Sequence, residues 1–83
     1  MNKILVKLHV PIIEEKYDIW IPSNKRIHNV IGLIAKAVDE LSGGHYKTSG
    51  TPRLYNKETG ELYNINLSIK ESTIRNGSEI ILI

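Results

Sequence analysis

The chain has 83 residues, 41% of them hydrophobic and 24% charged, an ordinary globular composition for a chain that can bury one compact core. There is no cysteine. That excludes disulfides, thiolate metal sites and cysteine nucleophiles together, and fits a reducing cytoplasm. The formal charge of +2 is spread over 11 basic and 9 acidic side chains with no long run of one sign, so no charged tail or nucleic-acid patch is marked. No stretch approaches the ~18 uninterrupted apolar residues of a membrane span. A soluble, unprocessed, single-domain protein (residues 1–83) is expected, with no direct membrane insertion.

In chain order, residues 3–10 alternate, with Ile4, Val6, Leu8 and Val10 on one face and Lys3, Leu5, Lys7 and His9 on the other, which predicts a first strand. Pro11 cannot donate to a ladder, and the polar Glu14-Glu15-Lys16 follows, so the chain is expected to turn there. A second alternating run over 17–21 puts Tyr17, Ile19 and Ile21 on one face and Asp18 and Trp20 on the other. Pro22 ends it.

Over 27–41, Ile27, Val30, Ile31, Ile34, Ala37, Val38 and Leu41 recur at the steps of one helical face, with Leu33 off the stripe. Ser23 or Asn24 is the expected N-cap, and Gly43-Gly44 the left-handed exit. Residues 43–51 read as a loop. A short third strand is expected at 52–56 with Leu54 toward the helix, then a turn at 57–60 and a brief fourth strand at 61–63. The polar stretch 64–71 is anchored by Ile65, Leu67 and Ile69. Asn76-Gly77 then turns the chain into a last strand over 79–83, where Ile80 and Leu82 take one face and Ile81 and Ile83 the other. Hairpin, helix and further strands predict an α+β domain with one helix across one sheet face.

This order is also that of the ubiquitin-like β-grasp fold. Within that superfamily, Tyr17-Asp18-Ile19-Trp20-Ile21-Pro22 followed by Ile27-His28-Asn29-Val30-Ile31-Gly32-Leu33-Ile34 resembles the YukD/EsaB group, small bacterial proteins of Gram-positive type VII (WXG-type) secretion systems. The closing Thr73-Ile74-Arg75-Asn76-Gly77-Ser78-Glu79-Ile80 is similar to that group's final turn and strand. The resemblance implies a mixed sheet ordered 2-1-5-3-4 with the first and last strands parallel at its centre. It further implies a cytoplasmic, non-enzymatic accessory protein whose partner is a membrane or ATPase component of the apparatus, since relatives carry the domain fused to a membrane component. The loop at 42–51, with His45 and Tyr46, departs from the pattern.

No catalytic, cofactor or metal motif is present. Conjugated relatives end in a flexible Gly-Gly, whereas this sequence ends in Leu82-Ile83 within the last strand's alternation, so conjugation is not expected. Ferredoxins of similar shape need four cysteines. His9, His28 and His45 lack the spacing of a zinc site, and no nucleophile elbow, phosphate loop or dinucleotide fingerprint occurs. What remains is the sheet face opposite the helix. It is expected to carry Leu5, Trp20, Tyr55 and Ile81 as an apolar stripe rimmed by Lys3, Lys7, Asp18, Arg53 and Glu79. Leu5, Lys7, Trp20, Arg53, Tyr55 and Ile81 are the partner-binding candidates, for a protein of the apparatus or a second copy in a homo-oligomer. Trp20 packed beneath the 43–51 loop as extra core is the competing reading. The alternative function is a small single-stranded nucleic-acid-binding domain, with Lys3, Lys7 and Arg53 as cations and Trp20 and Tyr55 as stacking groups on the same face.

Overall fold

The structure, a computed structural model, describes residues 2–47 and 50–83. Its elements are β1 (Lys3–Val10), a 3-10 turn (Pro11–Ile13), β2 (Glu15–Pro22), α1 (Ile27–Leu41), β3 (Leu54–Asn56) and β4 (Glu79–Leu82). The sheet order is β2-β1-β4-β3, with β1 parallel to β4 and both outer pairs antiparallel. The expected strand at 61–63 is reduced to one bridge, Leu62 to Tyr55, on the free side of β3. Two backbone bonds still tie it to β3, Asn56 N–H to Glu61 O at 2.8 Å and Tyr63 N–H to Leu54 O at 3.0 Å.

β2 is longer than the alternation suggested, starting at Glu15 and including Pro22. Glu14 turns the hairpin in the left-handed region at φ 54°, so the ladder begins immediately after it. Pro22 is tolerated because β2 is an edge strand, and a ring nitrogen facing away from the sheet forfeits no ladder bond.

The core lies between the inner sheet face and α1. Val6, Leu8, Val10, Ile21, Ile27, Val30, Ile31, Ile34, Val38, Leu54, Ile80 and Leu82 are buried, while Ile4 and Ile19 are half-buried against them. Residues outside the regular elements complete it: Tyr46, Tyr63, Ile69 and Ile74 are buried as well. Of the expected helical stripe, Ala37 is half-buried and Leu41 is 58% exposed, beside Ile13 and Tyr17 in a groove near the start of β2. Ile65, one of three expected anchors of 64–71, is exposed, whereas Ile69 is fully buried.

The helix ends differ from each other in what satisfies them. At the start, neither Ser23 nor Asn24 is the cap. Arg26 occupies that position without a side-chain bond, and the free N–H groups of Ile27 and His28 donate instead to Leu67 O (2.8 Å) and Ile65 O (3.1 Å). A distant segment caps the helix. At the other end, Gly43 at φ 67° donates to Glu40 O (3.2 Å) and Gly44 donates to Asp39 O (2.8 Å), a Schellman exit as the sequence predicts. Two glycines near and in the helix should therefore respond with opposite signs. A Cβ at either Gly43 or Gly32 meets nothing within 4 Å. Gly43→Ala is expected to cost about 1 kcal/mol through its left-handed φ, and Gly32→Ala to add roughly 0.5–1 kcal/mol through helix propensity. Urea midpoints of the two variants check this.

Candidate functional site

The outer sheet face is assembled by register. Leu5 pairs with Trp20 and Lys7 with Asp18 across β1 and β2. Lys7 lies beside Glu79 and His9 beside Ile81 across β1 and β4, and Ile81 pairs with Tyr55 of β3. Arg53, just before β3, exchanges backbone hydrogen bonds with Ile83 at 2.7 and 3.0 Å, which continues the ladder and returns it to the face of Tyr55. The six candidates therefore share one face.

They do not form one stripe. The Leu5–Trp20 pair and the Ile81–Tyr55 pair sit two rows apart, about 13 Å along β1, and the row between is Asp18, Lys7 and Glu79. Charges expected at the rim thus run through the middle. Trp20 is 61% exposed and Ile83 65%, while Leu5, Tyr55 and Ile81 are half-buried by their neighbours. Trp20 is not folded under the 43–51 loop; Tyr46 of that loop enters the core instead, and residues 48–49 lie outside the described residues. At the sheet edge Trp20 and Pro22 also line a groove against α1 that includes Leu33, itself 54% exposed.

One ionisable contact on the face has a measurable consequence. His9 Nε2 lies 3.0 Å from Glu79 Oε1, and this hydrogen bond, helped by Lys57 and Lys7, holds the Glu79 carboxyl below the usual carboxylate range. Away from the face, Glu71 is lowered too, chiefly because its carboxylate accepts the Ser68 N–H at 2.9 Å while Glu71 N–H donates to Ser68 Oγ at 3.1 Å. This reciprocal pair is written in the sequence as Ser68-x-x-Glu71, the spacing of a capping box. For both carboxylates the unfolded chain binds the proton more readily than the folded one. Their contribution is therefore present above about pH 4.3, the ordinary Glu value, and is lost as pH falls through the depressed native values. Denaturant midpoints followed from neutral to acid pH should fall in that window for the wild type, and less steeply for Glu79→Gln and Glu71→Gln.

The histidines are dispersed. His45 Nδ1 is 2.6 Å from Ser42 O, and His28 is exposed in the first turn of α1. Among the described residues no cluster of three or more His, Cys, Asp or Glu side chains could hold a metal ion. Two buried tyrosines are pushed up by desolvation. Tyr46 has burial as its cause; Tyr63 is also hydrogen-bonded to the Thr73 and Asn56 side chains, which offsets part of the rise. They pack the core, only 6% and 5% exposed.

A mixed sheet with its first and last strands parallel at the centre, and one helix laid across it, is the ubiquitin-like β-grasp fold. Among solved structures, the ubiquitin-like domain of the type VII secretion system protein EccD1 from Mycobacterium tuberculosis is similar with a TM-score of 0.79 at 13% identity, covering 100% of this chain and 99% of that one. A chain of the MycP5-free ESX-5 inner membrane complex is similar at a TM-score of 0.74 and 11% identity, with 100% of this chain covering 21% of that one. A chain of the toluene 4-monooxygenase HD complex with 4-bromobenzoate is as similar, at a TM-score of 0.79, 15% identity and coverage of 96% and 95%. No protein-family model matches the chain. No curated protein matches it either. Likeness at these identities defines the fold, and one fold serves many functions.

Proposed function

We propose that this protein is a non-enzymatic, cytoplasmic accessory module of a type VII secretion system, of the YukD/EsaB kind, which docks on a membrane or ATPase component through the outer face of its sheet. The observation that carries the reading is Trp20, 61% exposed and paired with Leu5 on a face that also presents Tyr55 and Ile81. A large aromatic left in water beside further apolar and charged groups has the composition of an interface anchor. The similarity to the EccD1 domain and to a chain of the ESX-5 inner membrane complex supports the choice of apparatus. Among the described residues no helix is long and apolar enough to cross a membrane, so a membrane component would be met by docking.

The nucleic-acid reading uses the same face. It is weakened by the acidic neighbours of Lys7: Asp18 stands on one side and Glu79 on the other, so the central cation is flanked by negative charge that a phosphate backbone would meet. The experiment is an affinity pull-down from native lysate of the source bacterium, with wild type and Trp20→Ser as baits, nuclease treatment and mass spectrometry. Secretion components retained by wild type and lost with Trp20→Ser are the expected result. Retention of nucleic acid that disappears as salt is raised would replace this reading with the alternative.

A further inference from the structure

β2 is an uncovered edge, and the hydrogen bonds show which of its backbone groups are free. Ser23 N–H donates to Asn2 O at 2.7 Å, which makes residues 15, 17, 19 and 21 the ones bonded to β1. On the other side of β1, Lys7 N–H donates to Ser78 O and Leu5 O accepts from Gly77, so the odd residues of β1 serve β4. The backbone groups of Lys16, Asp18 and Trp20 consequently point away from the sheet. Such a row is a template for a further strand.

The geometry points to a second copy of this chain as that strand, paired antiparallel through β2 about a two-fold axis at Tyr17. In this register Lys16 lies opposite Asp18 of the second copy, and Asp18 opposite Lys16 of the second copy. Both pairs use the outward-pointing backbone groups, and both bring opposite charges together on the outer face. The two copies of Tyr17 meet between them at a closely spaced position, on the inner side. A shift that centres the axis on residue 18 sets Asp18 against Asp18. A shift to residue 19 sets Lys16 against Pro22, which has no N–H to give. Charge and donor complementarity thus select one register.

A second observation falls at the same place. Leu41 lies on the core stripe by spacing yet is 58% exposed, and it lines a groove with Ile13, Tyr17 and His45 beside the free edge. A copy added at Tyr17 covers this groove and removes Leu41 from water. Trp20 stands opposite Glu14 of the second copy, one residue before that copy's β2 begins, and adds no strand pair. The dimer therefore uses the edge of β2 and the docking above uses the outer face around Trp20, the two adjoining at Asp18.

Sedimentation equilibrium of the purified chain, from micromolar to millimolar concentration at low salt, tests this. The expected result is a reversible dimer that weakens as salt rises. Lys16→Asp and Asp18→Lys should each weaken it about tenfold or more, because each turns two attractive pairs repulsive. Combining them in one chain should restore it. Leu41→Ser should weaken the dimer, while Trp20→Ser leaves it unchanged. A monomer at every concentration overturns the proposal, as does a dimer indifferent to both charge reversals. A dimer that the combined variant fails to restore overturns the register.

Discussion

Ile69→Ala is expected to destabilise the protein by about 2–5 kcal/mol, the range for removing a fully buried Ile side chain. At roughly 4–8 °C per kcal/mol for a domain of this size, the melting temperature should drop by some 10 °C or more. The side chain is 0% exposed although it lies in a stretch of polar residues outside any regular element. Its backbone N–H donates to Lys25 O at 3.0 Å, and Lys70 N–H donates to Ser23 O at 2.9 Å, so the segment is tied to the turn that leads into α1. The same segment supplies the Ile65 and Leu67 carbonyls that accept the first helix N–H groups. Loosening Ile69 thus removes core volume and the helix cap together. Ile65→Ala, at an exposed side chain, should stay within about 0.5 kcal/mol. Thermal melts of the two variants separate these effects. Equal melting temperatures would mean that the segment is not anchored by Ile69.

Trp20→Ser has the second large effect, on binding and not on stability. Because the indole is mostly in water in the free protein, its removal should shift the melting temperature by no more than a few degrees. Anchor aromatics at protein interfaces commonly contribute 2 kcal/mol or more, so partner affinity should fall by roughly 30-fold or more. Titration of the recovered partner against wild type and variant, with melts of both, measures the two quantities on the same samples. A large loss of stability would return Trp20 to the core. Unchanged affinity would remove it from the docking face.

Other ubiquitin-like folds illustrate why the face, and not the fold, must carry the function. Chains similar to this one occur in a secretion membrane complex and in a monooxygenase complex, with nearly the same backbone arrangement. What differs between such domains is the chemistry displayed on the sheet and its edges. Here that chemistry is a tryptophan at one corner, a Tyr–Ile pair at the other, and a row of charges between them.

Much of this was readable from local pattern. Period-two alternation over 3–10 and the helical recurrence over 27–41 fall on the observed β1 and α1, because each buries one face against a single layer and selection on that face leaves a regular repeat. Gly43-Gly44 and Asn76-Gly77 marked their turns because all three glycines sit at positive φ, a local requirement of the backbone. Alternation also put Leu5, Lys7, Trp20, Tyr55 and Ile81 on the face away from the helix, and the register keeps them there. Tertiary structure decided the rest. Residues 64–71 cap the helix through carbonyls of Ile65 and Leu67, a role that any side chains could accompany and that therefore leaves no signature. Leu41 continues the helical stripe yet is 58% exposed beside Ile13 and Tyr17, and only the tertiary arrangement determines how far along that stripe the cover extends. Whether the outer face held one apolar stripe or two patches depended on the offset between β1 and β4, a parallel pairing joined by most of the chain, and no local residue pattern encodes such an offset.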